Sequence, residues 1–177
     1  MQQEHNSINS VVMILAASTL LFASCNLADR KGKNGIVYKT AAQYNNYIVD
    51  RQKSVAIYIT DFSRMVQINP DSAEYIRNKA IQEIDTSITG IKGMPSFKGD
   101  TILRDVAINS FLFYRKLFME EYKEIVTIFK KGPPISLQDQ MFVKDLSLEI
   151  ARQEEKYDRA LHNAQYEFAR KNNMQLK

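Results

Sequence analysis

All four prolines and all six glycines of this 177-residue chain fall at the edges of long uninterrupted segments, and this placement limits the fold more than any other feature. Proline breaks a helix interior and glycine weakens one, so segments free of both are free to run as helices. Within the first of them Ala41, Tyr44, Ile48, Gln52, Val55, Ile59, Phe62 and Val66 recur at spacings of three and four, one apolar stripe of an amphipathic helix. Thr40 and Gln43 have capping-box form at its start, and Asn69-Pro70 stops it. The same pair opens a second helix, Asn69 as N-cap and Pro70 at the first helical position, with Ala73, Ile76, Ala80, Ile84 and Ile88 as its stripe and Gly90 as its C-cap. Gly90 to Gly99 reads as the main loop, and Asp100 as the cap of a third helix.

The third helix carries Leu103, Ala107, Phe111, Tyr114, Phe118 and Ile125 on one side. It ends at Lys130-Lys131-Gly132-Pro133-Pro134, cations in the last turn followed by glycine and proline. Ser136 caps a fourth helix striped by Leu146, Ile150, Gln153, Tyr157, Leu161, Ala164 and Phe168. Neither strand pairing nor an internal repeat is visible. Four long helices joined by short connections predict an all-α, antiparallel four-helix bundle over residues 40–177.

Cys25 is the only cysteine, and it stands behind an apolar run from Val11 to Phe22 and the small residues Ala23 and Ser24. The run is shorter than the roughly 20 residues that span a bilayer as a helix and matches the core of a signal peptide. The arrangement resembles the lipobox of bacterial lipoprotein precursors. That resemblance implies cleavage between Ser24 and Cys25, acylation of the Cys25 sulfur and attachment to a membrane through the lipid. Residues 1–24 are then a signal peptide and residues 25–39 a flexible tether, in which Arg30, Lys31 and Lys33 either meet anionic headgroups or are simply solvated. Asn26 follows the cysteine where inner-membrane retention uses Asp, so the outer membrane is the expected location, its periplasmic or outer face left open.

Further segments go beyond a generic helix. They are Phe97-Lys98-Gly99-Asp100 with Leu103, Asp105, Ala107, Asn109, Phe111, Phe113 and Tyr114, then Glu121-Tyr122-Lys123-Glu124-Ile125-Val126 with Ile128-Phe129-Lys130-Lys131-Gly132. With Tyr44-Asn45, Ile48-Val49, Ala164-Gln165, Phe168-Ala169 and Lys171, they are similar to an uncharacterised helical surface-lipoprotein family named from a spirochaete protein and common in Bacteroidetes. The resemblance covers nearly the whole chain after Cys25. It implies an envelope lipoprotein and brings no known activity or catalytic residue.

Lysine and arginine exceed aspartate and glutamate by four, or by five once residues 1–24 leave with Glu4. The surplus is small and interleaved with acids, which does not support a nucleic-acid partner. Once Cys25 is acylated no thiol remains for a disulfide, a metal or catalysis. A carboxylate-bridged metal bundle needs Glu-x-x-His pairs, yet Arg159 stands three residues before His162, the sole histidine after the leader. Asp158 and His162 share a helix face, where a surface ion pair is the expected outcome because two ligands make an incomplete metal site. Glu120, Glu121 and Glu124 alternate with Lys116, Lys123 and Lys130 as a solvated face does. No metal, cofactor or catalytic residue is assigned, and the expectation is a non-enzymatic module that meets another envelope protein.

The aromatic density supports an alternative. Phe111, Phe113, Tyr114, Phe118 and Tyr122, with Tyr44, Tyr47 and Tyr58, either pack a core or line a cavity for a small apolar ligand. Gln52 and Gln153 interrupt apolar stripes, so they either bond each other and set helix register or point polar groups into that cavity. Tyr114 and Phe118 are the aromatic candidates beside them. A closed core favours the contact module; an apolar pocket of about 300 Å³ or more, reached from a helix end, favours the ligand.

Overall fold

A computed structural model describes residues 31–176. The chain forms α1 (Ala41–Met65), α2 (Pro70–Lys92), α3 (Ile102–Met119), α4 (Glu121–Phe129) and α5 (Leu137–Lys171), with no strand among the described residues beyond two isolated bridges. α3 and α4 are two segments of one rod, so the architecture is the expected all-α bundle of four rods.

The helix starts follow local chemistry. Thr40 Oγ1 accepts the Gln43 amide proton at 3.1 Å, and Gln43 Oε1 in turn accepts that of Lys39 at 2.9 Å. Asn69 Oδ1 accepts from the Ser72 amide with Pro70 opening α2, and the Ser136 hydroxyl accepts from the Asp139 amide at the head of α5. Asp100 serves α3 from one residue further out than an N-cap, its Oδ1 accepting from Ile102 N–H at 2.8 Å while Thr101 holds the cap position. α1 ends at Met65, a turn before Asn69. Gly90 is not the end of α2, which runs to Lys92 and is capped by Gly93. A side chain at Gly90 would collide with the Tyr47 hydroxyl, so glycine serves a close approach there.

The third rod breaks at Glu120. The ladder reaches the break through Glu120 N–H on Lys116 O and resumes with Glu124 N–H on Glu120 O. The Phe118 carbonyl between them accepts from Arg77 Nη1 of α2 at 2.9 Å, so the break is satisfied from a neighbouring helix.

Residues 31–39 belong to the folded domain and not to a tether. Lys31 bridges Val37, Asn34 Nδ2 donates to the Gly90 carbonyl at 3.0 Å and to the Tyr38 hydroxyl at 2.7 Å, and Tyr38 is 1% exposed. This turn lies on the carboxyl end of α2, whose unsatisfied carbonyls attract an amide donor. Composition alone hid the packing because Gly32 and Gly35 resemble a spacer. Gly32 is buried so tightly that a Cβ would meet the Gly93 carbonyl at 2.5 Å.

α2 packs on α1 and on α3, and α3 packs on α5. α1 and α5 meet through long side chains at two levels. Tyr44 stacks on Phe168 near one end, ring centres 5.4 Å apart, and Gln165 Nε2 donates to Gln52 Oε1 at 3.0 Å further along. At the other end Phe62 of α1 stacks on Tyr122 of α4 at 4.5 Å, with Phe118 edge-on to both. Two aromatic clusters thus hold α1 in place, and the span between them is where the bundle stays open.

Candidate functional site

That open span is a lateral cleft of about 320 Å³. Its walls are Val55, Ala56 and Ile59 of α1 and Phe111 of α3, its floor is Ser110, and Tyr114, Asp158 and His162 stand on the side of α3 and α5. The Gln52–Gln165 pair spans it. Beyond the pair the groove continues as a wider trough of about 790 Å³ that includes Asn45, Val49, Lys53 and Met174. α1 packs on α2 while α5 packs on α3, so the backbones of α1 and α5 remain apart and the cleft opens between them with α3 residues at its back.

The polar groups are arranged along one edge. The Tyr114 hydroxyl donates to Asp158 Oδ1 at 3.0 Å, and no ion pair joins Asp158 to His162, although the two share a face of α5. The phenol is the better partner because a hydroxyl held on α3 is aimed across the gap. Burial, and then the Asp158 charge and hydrogen bond, raise the Tyr114 pKa and keep it the proton donor. Glu154, one turn before Asp158, is half-buried, and burial followed by the Asp158 charge pushes its carboxyl up. Ser110 is 2% exposed, and its hydroxyl bonds to no described residue.

Of the residues singled out from sequence, Gln52 and Tyr114 line this cleft and Phe118 and Gln153 do not. Phe118 is 0% exposed inside the Phe62–Tyr122 cluster. Gln153 donates to Glu149 Oε1 on its own helix, and the partner of Gln52 is Gln165. Gln165 lies 12 positions, about 18 Å of helix, beyond Gln153, too far to be exchanged by a side-chain rotation. Of the other aromatics, Phe113 stacks on Tyr157 at 4.3 Å, Tyr44 donates its hydroxyl to the Pro95 carbonyl, and Tyr47 lies under the Arg51 guanidinium. Phe111 alone joins Tyr114 in the cleft wall. Ser110, Asp158, His162 and Gln165 were not read as a site; their signal was a run of polar side chains one position off the apolar stripes.

The charged faces behave as solvated surface. Lys116 approaches Glu120 and Glu121 at 3.7 and 3.8 Å, and Lys130 pairs with Asp71 at 2.8 Å and with Glu74. Such exposed pairs are screened by solvent and contribute little to stability. Among the described residues no group of three His, Cys, Asp or Glu side chains is placed to hold a metal, and no helix is long and apolar enough to cross a membrane. Ser24 and Cys25 lie outside the described residues.

The class defined by this geometry is an all-α bundle with a side cleft that is apolar inside and polar along one edge. No family model, curated protein or solved structure matches the chain.

Proposed function

We propose that this is a lipid-anchored, non-enzymatic protein of the bacterial outer membrane whose helical domain acts by contact with another envelope protein. The observation that carries this reading is the apolar run Val11–Phe22 followed by Ala23-Ser24-Cys25, with packed structure already present at Lys31. Five residues separate Cys25 from Lys31, a reach of at most about 22 Å, so an acylated Cys25 would keep the domain close to its membrane. The end that would face the lipid holds exposed Lys31, Lys33, Lys92 and Lys98. Each basic residue near an anionic surface adds about 1 kcal/mol of attraction. α5, at 35 residues or about 52 Å, carries the opposite end well away from it.

Cys25→Ser tests the anchor. The variant should accumulate as an unprocessed precursor and take up no clickable fatty acid, whereas the native chain is labelled. Label on the Ser variant removes the lipoprotein reading.

A second reading is supported by the cleft between α1 and α5: the domain binds a small ligand with an apolar body. Its volume lies at the lower end of ligand sites, about 300 to 1,000 Å³. It opens on the flank of the bundle and not at a helix end, and the aromatic core beside it is closed.

A further inference from the structure

Charge in the α1–α5 cleft is one-sided. Asp158 and Glu154 stand a turn apart on α5, and neither forms an ion pair with any described lysine or arginine; the neighbouring Arg159 is taken by Glu155. The cleft lining contains no lysine or arginine, and the His162 imidazole is its only ionisable nitrogen. At its floor Ser110 is 2% exposed as a residue and its side chain lines the cleft, where no hydrogen bond to a described group engages the hydroxyl. A hydroxyl at the floor of a cleft, with its lone pairs directed into it, is available to a ligand donor. The walls are aliphatic and aromatic, with the Phe111 and Tyr114 rings among them.

We propose that the cleft binds a small organic ammonium: an apolar body along Val55, Ile59 and Phe111, and a cationic head between the Asp158 carboxylate, the Ser110 hydroxyl and the Tyr114 ring. This rests on the ligand-binding reading above and narrows it to a class. An ammonium group has three donors and no acceptor. Asp158 retains lone pairs beside the one taken by the Tyr114 hydroxyl, and Ser110 accepts a second proton. A cation over an aromatic face gains further attraction once desolvated. Carboxylates and a serine floor reject an alkyl carboxylate of the same length through like-charge repulsion. Glu154, half-buried and close enough for Asp158 to raise its pKa, adds negative potential behind the head and is relieved by the same cation.

The test uses the full chain in a nonionic detergent and three probes of equal chain length, hexylammonium, hexanol and hexanoate, followed by backbone amide chemical shifts. Hexylammonium should move the signals of Ser110, Tyr114, Asp158 and Gln165 and bind about ten-fold or more tightly than hexanol, the scale of one charge-assisted hydrogen bond. Hexanoate should leave them unmoved. Asp158→Asn should erase the preference for hexylammonium over hexanol, and Val55→Trp, which fills the cleft, should abolish both. Tyr114→Phe keeps the ring and frees an Asp158 lone pair, so it should preserve the preference for the cation. Equal binding of hexanol and hexylammonium, or an unchanged preference in Asp158→Asn, overturns the ammonium inference and leaves a ligand cleft standing. Absence of any shift with all three probes overturns the ligand-binding reading itself.

Discussion

Phe118 is the residue on which most of the bundle converges. Its ring is fully buried, edge-on to Phe62 at 6.2 Å and to Tyr122 at 4.9 Å, and so joins α1, α3 and α4. Truncation there removes a large apolar surface and leaves a cavity that three helices cannot close together. Phe118→Ala should cost about 3 to 5 kcal/mol in urea unfolding, and a loss below about 1 kcal/mol would contradict the burial. The Gln52–Gln165 pair contrasts with it. It is half-buried, and the Gln165 amide donates one hydrogen bond to the Gln52 carbonyl oxygen across the groove. Such a pair fixes how α1 and α5 register more than how tightly they hold, because an amide bond exchanged for water contributes only about 0.5 to 1.5 kcal/mol net.

At the scale of elements the break between α3 and α4 distinguishes this bundle from four straight rods. Nothing at Glu120 resembles a breaker; its neighbours are Met119 and Glu121, and neither glycine nor proline lies near. The Arg77 side chain reaches from α2 to the Phe118 carbonyl, and its other terminal nitrogen donates to Asn78 Oδ1. Arg77→Leu leaves that carbonyl without its donor in a half-buried site. The expected result is a loss of about 1 to 3 kcal/mol, with faster amide exchange confined to residues around the break. Unchanged exchange there would show that the break is held by packing alone. The first element of the domain, the turn over residues 31–37, follows the same logic. Asn34 takes a carbonyl from the end of α2, and Gly93 permits the approach, since a Cβ on it would lie 2.8 Å from the Asn34 amide nitrogen.

For the whole molecule the tyrosines set a limit on alkaline stability. Burial pushes the Tyr38 hydroxyl up to about 12 and also raises those of Tyr44, Tyr114 and Tyr122, against about 10 for an exposed phenol. These four side chains sit on the N-terminal segment, α1, α3 and α4, so their protonation is a property of the assembled bundle. The unfolded chain releases these protons near pH 10 while the folded chain still holds them. Unfolding is therefore favoured progressively as pH rises from about 10 through about 12, and this contribution is fully present below about 10. Urea midpoints measured across that window should fall steadily. A flat profile would mean that the phenols are more open to solvent than their burial implies.

What the sequence by itself determined is most of what acts over one helical turn, the cap of α2 at Gly93 and the break at Glu120 excepted. The caps at Thr40, Asn69 and Ser136 and the stop at Gly132, whose φ of 76° suits glycine, are satisfied by residues within four positions of one another. The apolar stripes follow from a fixed angular step around each axis, which is why Ile48, Val55, Ile84, Phe111, Ile150 and Leu161 are all buried as their spacing implies. Only the tertiary structure decided how the rods slide and separate. Helical periodicity states which face of a helix is apolar and is silent on axial register, so Gln52 met Gln165 and not Gln153. It is equally silent on the distance between non-adjacent rods. The cleft exists because α1 packs on α2 and α5 on α3, and aromatic pairs bring α1 to α5 and to α4 only at either end of it, a consequence of side chains from several helices that no single stretch of sequence contains.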